Sequence, residues 1–323
     1  MSTLTAAPDD EFLIVAEQAV RTSGASDALD ALGWWDFLAE LDDLDARTAV
    51  LAIFRAQGRA TSSSAALGGL LAEPYRALVG AEPGTVVAAI PRHSAHVASH
   101  VVVGATQGRN LLVDQPDGSV SMFAAADVQR RPIDVAGKLD LFDLDVTGAT
   151  PLLTLAPTAV AAAREHSHRL GRVAIAAEIL GAAEAIVGLA IEYAGQREQF
   201  GQPIGRFQAM RHTLSWAHTD CIAIDRVLRP AIEVDGEPSP MYSRVLKALA
   251  GRNGRRACER SLQVFGGIGF TAEHSHVHHH GRVLALDSLL GASSTLMQQL
   301  GTWVRTDAVG PAFTTDLLTR TAR

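Results

Sequence analysis

The sequence predicts a mainly α fold with a small β domain: an N-terminal helical domain, a middle β domain and a C-terminal four-helix bundle. Three observations carry this. Before about residue 80 the chain breaks into helical stretches separated by glycines. From Val86 to Val146 short β-branched runs take over. After Pro157 helical periodicity returns and persists almost to the C-terminus. The divisions fall at 1–82, 83–156 and 157–323.

In the first domain, helices are expected around Glu11 to Val20, Leu41 to Phe54 and Ala65 to Leu71, separated by Gly24, Gly33, Gly58 and the cluster Thr61 to Ser64. Trp34 and Trp35, beside Phe37 and Leu38, read as core. Ser62 to Ser64 have no His or Asp pattern beside them and read as a linker. Strands are expected at Val86 to Ile90, Val97 to Val103, Leu111 to Val113, Val120 to Phe123 and within Leu139 to Val146, forming a reduced antiparallel domain with a turn at Asp117-Gly118.

The bundle opens with a helix over 166–194, roughly 40 Å long at 1.5 Å per residue, almost uncharged after Arg172 and so expected to be buried on most sides. Phe207, Met210, Leu214, Ala217, Cys221, Ile224 and Leu228 recur at steps of three and four, the seam of a second helix. A third helix is expected from Met241 to Phe265 and a fourth, unbroken, from Arg282 to Val304.

The 323 residues are 47% hydrophobic and 20% charged, and the net charge is -7. That balance argues against nucleic-acid binding, which needs a concentrated basic surface. Aromatics make up only 5%, and the small-residue bias favours closely packed helices. Cys221 and Cys258 are too few for a disulfide framework, which points to a reducing cytoplasm. No secretory signal is expected from the acidic N-terminus, and no run of membrane-spanning length is expected either.

Two segments stand apart from the bundle pattern. Arg197-Glu198-Gln199-Phe200-Gly201-Gln202-Pro203-Ile204-Gly205-Arg206-Phe207-Gln208 puts an Arg at the head of a loop between two helices. A guanidinium there can grip a pyrophosphate with two hydrogen bonds, and the next helix N-terminus offers free N–H groups; a surface ion pair is the plainer alternative. Gln263-Val264-Phe265-Gly266-Gly267-Ile268-Gly269-Phe270 ends a helix in glycines, which by itself is an ordinary cap.

Together these runs, at this separation, resemble the acyl-CoA dehydrogenase family of FAD-dependent enzymes that desaturate acyl-CoA thioesters. The resemblance covers about residues 160–300, and the domain order agrees with it. In the family the two runs reach across a subunit interface to the adenosine and pyrophosphate of FAD. The resemblance therefore implies FAD contacts at Arg197, Gln199, Phe200, Gln208, Gln263, Gly266 and Gly267, and at least a dimer.

The chain departs from the family where the reaction is performed. Removal of the α-proton needs a positioned carboxylate, supplied in the family from one of two places. Counting without gaps puts Leu290 at one and Gly171 at the other, and neither can accept a proton. Glu165, Glu178 and Glu273 lie near but in neither place; they read as an N-terminal helix charge, a partly buried interface residue and a loop acid. The family's flavin-ring loops have no counterpart between Val86 and Leu155, where Gly104 to Arg109 is nearest in position.

This pattern resembles the unequal partners of α2β2 acyl-CoA dehydrogenases in actinobacterial steroid catabolism, as do the runs Ile268 to His274 and Leu284 to Gly291. It implies an FAD-contacting subunit whose partner chain, from the same family, carries the base and the acyl-CoA. Two alternatives stand beside it: a competent homotetramer using a relocated Glu, and a scaffold that no longer binds flavin. His274, His276, His278, His279 and His280 read as a surface or interface loop that titrates between about pH 5 and 8, without a metal. Arg252, Arg255, Arg256 and Arg260 form a basic helix stripe, solvated or paired.

Overall fold

A computed structural model describes residues 8–22, 29–93, 98–104, 106, 108–233 and 238–306; Gly24, Val97, Ala105 and Gln107 of the expectations above lie outside them. The N-terminal helices are α1 (Pro8–Thr22), α2 (Trp34–Ala39), α3 (Leu44–Ala60), α4 (Ala66–Ala72) and α5 (Arg76–Val79). Asp43 caps α3 by accepting from the N–H groups of Asp45 and Ala46. Ser64 accepts from the Ala66 N–H and donates to Gln57, so the serine cluster serves as a helix start. The short α2 has no periodic signal of its own; tertiary contact holds it, with Trp34 buried edge-on against Phe54 at 5.7 Å. Trp34 and Leu38 are core, whereas Trp35 is only partly buried, under the Arg109 guanidinium 4.8 Å from its ring.

The β region is two four-stranded sheets. Strands β1 (Val86–Ala88), β4 (Asn110–Asp114), β5 (Val120–Phe123) and β8 (Leu153–Leu155) form one. Strands β2 (Ile90–His93), β3 (Ala98–Val103), β7 (Leu141–Asp145) and β6 (Gln129–Ile133) form the other. The chain changes sheet at Ala89, and Val87, Val102, Leu111, Phe123 and Leu144 pack between the two layers. The expectation of an all-antiparallel domain needs one correction, because β1 runs parallel to β4. Strands β6 and β8 escape the sequence pattern: both are sheet edges, and Gln-Arg-Arg-Pro-Ile in β6 carries the charge and proline that edges tolerate.

The bundle begins with α6 (Pro157–Gln196), whose 40 residues span about 60 Å at 1.5 Å per residue. It is long and apolar enough to cross a membrane by length and composition, contrary to the sequence expectation, but 72% of its most apolar window is buried inside the protein. Helices α7 (Gln208–Glu233) and α8 (Pro240–Phe265) follow. The seam on α7 is largely as read, with Ala217, Cys221, Ile224 and Leu228 buried. The fourth helix is two, α9 (His276–Ser288) and α10 (Ser293–Thr306). Between them Leu290 and Gly291 have φ of 53° and 107°, left-handed values that no helix passes through.

Candidate functional site

Helix α6 stops at Gln196 and the chain turns back at once in a hairpin, β9 (Glu198–Gln199) paired antiparallel with β10 (Gln202–Pro203). Its two-residue loop, Phe200-Gly201, has φ of 55° and 77°, the left-handed pair of a type I′ turn. Glycine suits this and phenylalanine does not. The Phe200 side chain is nonetheless 93% exposed, with only an edge contact to Phe207 at 6.1 Å. A strained and exposed aromatic is evidence of use by something outside the chain.

The other segment lies beside it. Helix α8 ends at Phe265, whose ring meets Tyr193 near the end of α6 at 5.5 Å, so the hairpin and the glycine turn occupy one end of the bundle. Gly266 has a φ of 65°. A Cβ on Gly267 would meet no atom of the chain within 4 Å, so nothing internal requires glycine there, and the open backbone fits an external ligand's close approach. Arg197, Gln199, Gln208, Gln263, Gly266 and Gly267 are all exposed. The Arg197 guanidinium makes no hydrogen bond or ion pair among the described residues, while the Gln199 side chain folds back to donate to the Glu198 carbonyl. This donor set of guanidinium, amides and open backbone N–H groups fits a pyrophosphate flanked by an aromatic base.

Gly171 and Leu290, 119 residues apart in sequence, meet in space. A Cβ on Gly171 would overlap the Leu290 side chain and lie 2.6 Å from Leu71 Cδ2. Leu290 is buried, in a crevice shared with Tyr75, Asp114, Ser167 and His168 where about 10 Å³ remains, room for one water. The space where either position could carry a carboxylate is therefore filled with apolar atoms.

Sequence reasoning missed the groups that fix this plug. Arg172 donates from Nε to the Leu290 carbonyl at 3.2 Å. Lys247, wholly buried, donates to the carbonyls of Asp287 at 2.9 Å and Gly291 at 3.2 Å. A signal for Lys247 exists: Ser243, Lys247, Ala250, Gly254, Ala257 and Ser261 follow the buried seam of α8, and a lysine among such small residues is out of place.

Burial pushes the Lys247 ammonium down to about 8 from 10.5, against the opposing pull of Asp287. With the folded value below the unfolded one, unfolding takes up a proton between those limits, so stability should rise as pH climbs from about 8 to 10.5. Urea midpoints across that range should show the rise in the native chain and lose it in Lys247→Met. An unchanged slope in the variant would assign the rise to another group.

Two of the three neighbouring acids differ from their expected settings, while Glu273 is the loop acid that the sequence predicts. Glu178 is fully buried against Arg282, with Arg282 Nε 2.8 Å from Oε1, and is not a partly buried interface residue. Glu165 is half-buried, with Oε1 lacking a hydrogen-bond partner among the described residues. Glu273 is exposed beyond the glycine turn.

The histidine run is not a surface loop. His276 and His279 are buried on the first turn of α9, where burial pushes both imidazoles below their ordinary range and keeps them neutral at pH 7. The expected titration between pH 5 and 8 therefore moves toward the acid side. Among the described residues no three His, Cys, Asp or Glu side chains converge on a metal position. In the basic stripe, Arg260 pairs with Asp220 and lies 5.7 Å from the Trp216 ring, and Arg255 reaches Glu259 at 3.6 Å.

Comparison with known proteins gives this geometry a context. Residues 163–304 match the family profile "Acyl-CoA dehydrogenase, C-terminal domain". The chain is 32% identical over 168 residues to the acyl-CoA dehydrogenase FadE34 of Mycobacterium tuberculosis, which covers 50% of this chain and 23% of that protein. Its structure superposes on the Tcur3481-Tcur3483 steroid ACAD G363A variant with a TM-score of 0.70 at 21% identity, covering 94% of this chain and 99% of that one. It also superposes on the ChsE4-ChsE5 complex of M. tuberculosis with a TM-score of 0.67 at 18% identity, covering 97% and 100%. At such identities these structures show the fold alone, which is the acyl-CoA dehydrogenase fold.

Proposed function

We propose, from the premise that residues 163–304 are an acyl-CoA dehydrogenase C-terminal domain, that this chain is an FAD-contacting subunit of a heteromeric acyl-CoA dehydrogenase. Its partner, a chain of the same family in an α2β2 assembly, carries the catalytic base and takes the acyl-CoA. The three units are residues 1–82, 83–156 and 157–323, and the setting is cytoplasmic lipid or steroid catabolism. The steroid setting is supported only by the likeness in fold to a steroid ACAD.

The observation that carries this reading is the contrast between the two ends of the site. The Gly171 and Leu290 positions are packed shut, while Arg197, Phe200, Gly266 and Gly267 stand exposed, and Phe200 meets only the edge of Phe207 among the described residues. FAD, when bound, supplies the acceptor for the β-hydride of the thioester. This chain's part would be to hold the dinucleotide end: Arg197 would offer two N–H donors to a pyrophosphate, the Gly266-Gly267 backbone would give it close approach, and Phe200 would offer an aromatic face to the adenine. Gln199, Gln208 and Gln263 would add amide contacts. Neither expected base position removes the α-proton, because leucine and glycine cannot.

Coexpression with a family partner tests this. The complex should hold FAD, and the chain alone should neither retain it nor reduce an electron acceptor with acyl-CoA. In the complex, Arg197→Ala should weaken FAD binding by about tenfold to a hundredfold, the loss of a charge-assisted contact. A chain that is yellow and active alone overturns the assignment, and undiminished FAD content in the variant favours a scaffold without a cofactor role.

A further inference from the structure

The hairpin and the glycine turn belong to different helices, and a bidentate grip fails if its halves drift by about 1 Å. Something must set their spacing. Arg197 is tied to Tyr193, whose carbonyl accepts its backbone N–H at 2.8 Å, and Gly266 directly follows Phe265. The two rings meet at 5.5 Å. Behind Phe265 stand His274 at 4.2 Å and His276 at 6.1 Å, and His276 meets His280 at 5.3 Å. His276 is 2% exposed; its Nε2 bonds the Cys258 carbonyl at 2.9 Å, and its backbone N–H donates to His274 Nδ1 at 3.1 Å.

We propose that the stack of Tyr193, Phe265, His274 and His276 is the positioning element of the dinucleotide contact, setting the separation between Arg197 and Gly266. This rests on the FAD-contacting role proposed above. The role assigned to the four is to position the contact, not to make it. They act through the two segments whose roots they join, and this gives the histidine run of the sequence its use. A plain space-filling role would need neither the His276 to Cys258 bond nor the His274 acceptor, since leucines would fill the same volume.

The stack requires a neutral His276. The titratable groups around it are His274, His279 and His280 from its own segment; Glu259 and Arg255 of α8 face His280, and α6 presents the Tyr193 phenol. A proton on His276 would place charge among apolar rings beside the glycine turn, so the separation should loosen in acid.

The test uses the complex with its partner and follows FAD release by flavin fluorescence. Native release should stay level from about pH 8 to about 6.5 and accelerate only below the ordinary imidazole range of about 6.5. His276→Gln keeps a donor for the Cys258 carbonyl and cannot take on charge, so it should remove the acceleration. Phe265→Leu should speed release about tenfold at the higher pH. His274→Phe, which keeps the ring and is the mildest change, should show part of the native acceleration. Release from Phe265→Leu at the native rate, or undiminished acceleration in His276→Gln, overturns the proposal. Arg197→Ala in the same assay separates the failures: if it too is silent, the FAD-contacting role itself is wrong. If His276→Gln or Phe265→Leu fails to assemble, the pH profile of His274→Phe decides, and a profile identical to the native one overturns the proposal.

Discussion

Gly181→Ala is expected to destabilise the protein by about 3 kcal/mol, the upper part of the range for an overpacked core, although alanine is the better helix former. Helices α3 and α6 cross with backbone against backbone. A Cβ on Gly181 would overlap the Arg55 carbonyl oxygen, and one on Gly58 would overlap the Glu178 carbonyl oxygen, so each helix offers a glycine where the other approaches. Neither carbonyl can move without breaking its own helix. Gly188 lies two turns further along α6, and a Cβ there would meet nothing within 4 Å. Gly188→Ala should therefore stabilise by about 1 kcal/mol, the ordinary helix propensity difference. Urea denaturation of the pair gives a prediction of opposite sign on one helix. Two stabilising substitutions would show that the crossing is looser than described.

The second large effect is expected at Arg282, which is wholly buried where the three parts of the chain meet. Its guanidinium bonds Glu178 of α6 and the carbonyls of Ser62, Gly137 and Lys138, joining helical linker, β region and bundle. Burial pushes the Glu178 carboxyl up and the guanidinium beside it opposes the shift. Arg282→Met would leave a buried acid unpaired and three carbonyls without a donor, for a loss of about 3–5 kcal/mol. Glu178→Leu in the same chain should restore part of that loss, since an apolar pair is tolerated where a lone charge is not. The shortfall would measure the three carbonyls. A single-variant loss below about 1 kcal/mol, within the range of a surface pair, would remove Arg282 from its central place.

The two segments proposed to contact FAD stood out in sequence because each is contiguous: Arg197 to Gln208 and Gln263 to Phe270 carry their turn chemistry with them. The seam of α7 follows from local helical periodicity, whereas the Phe200-Gly201 turn goes against the preference of phenylalanine for negative φ. Less local features were lost. The parallel pairing of β1 with β4, the edge strands β6 and β8, and the six-residue α2 leave no periodic trace, because partners distant in sequence stabilise them. The histidine run was misplaced for the same reason: nothing in five imidazoles within seven residues says which side of a helix faces the core.

The sequence by itself determined the order of helices, sheets and bundle and the family resemblance of the bundle. It also determined that neither expected base position holds a carboxylate. Those properties are written in residue type and short-range spacing. Only the tertiary structure decided that Gly171 and Leu290 are one place, closed by a leucine and by Leu71. The Arg172 and Lys247 bonds that hold that closure, and the ring contact of Tyr193 with Phe265 that joins the hairpin to the glycine turn, were likewise decided there. Each depends on atoms brought together from opposite ends of long helices. The packing of α6 against its neighbours fixes those distances, and no periodicity within a single helix records them.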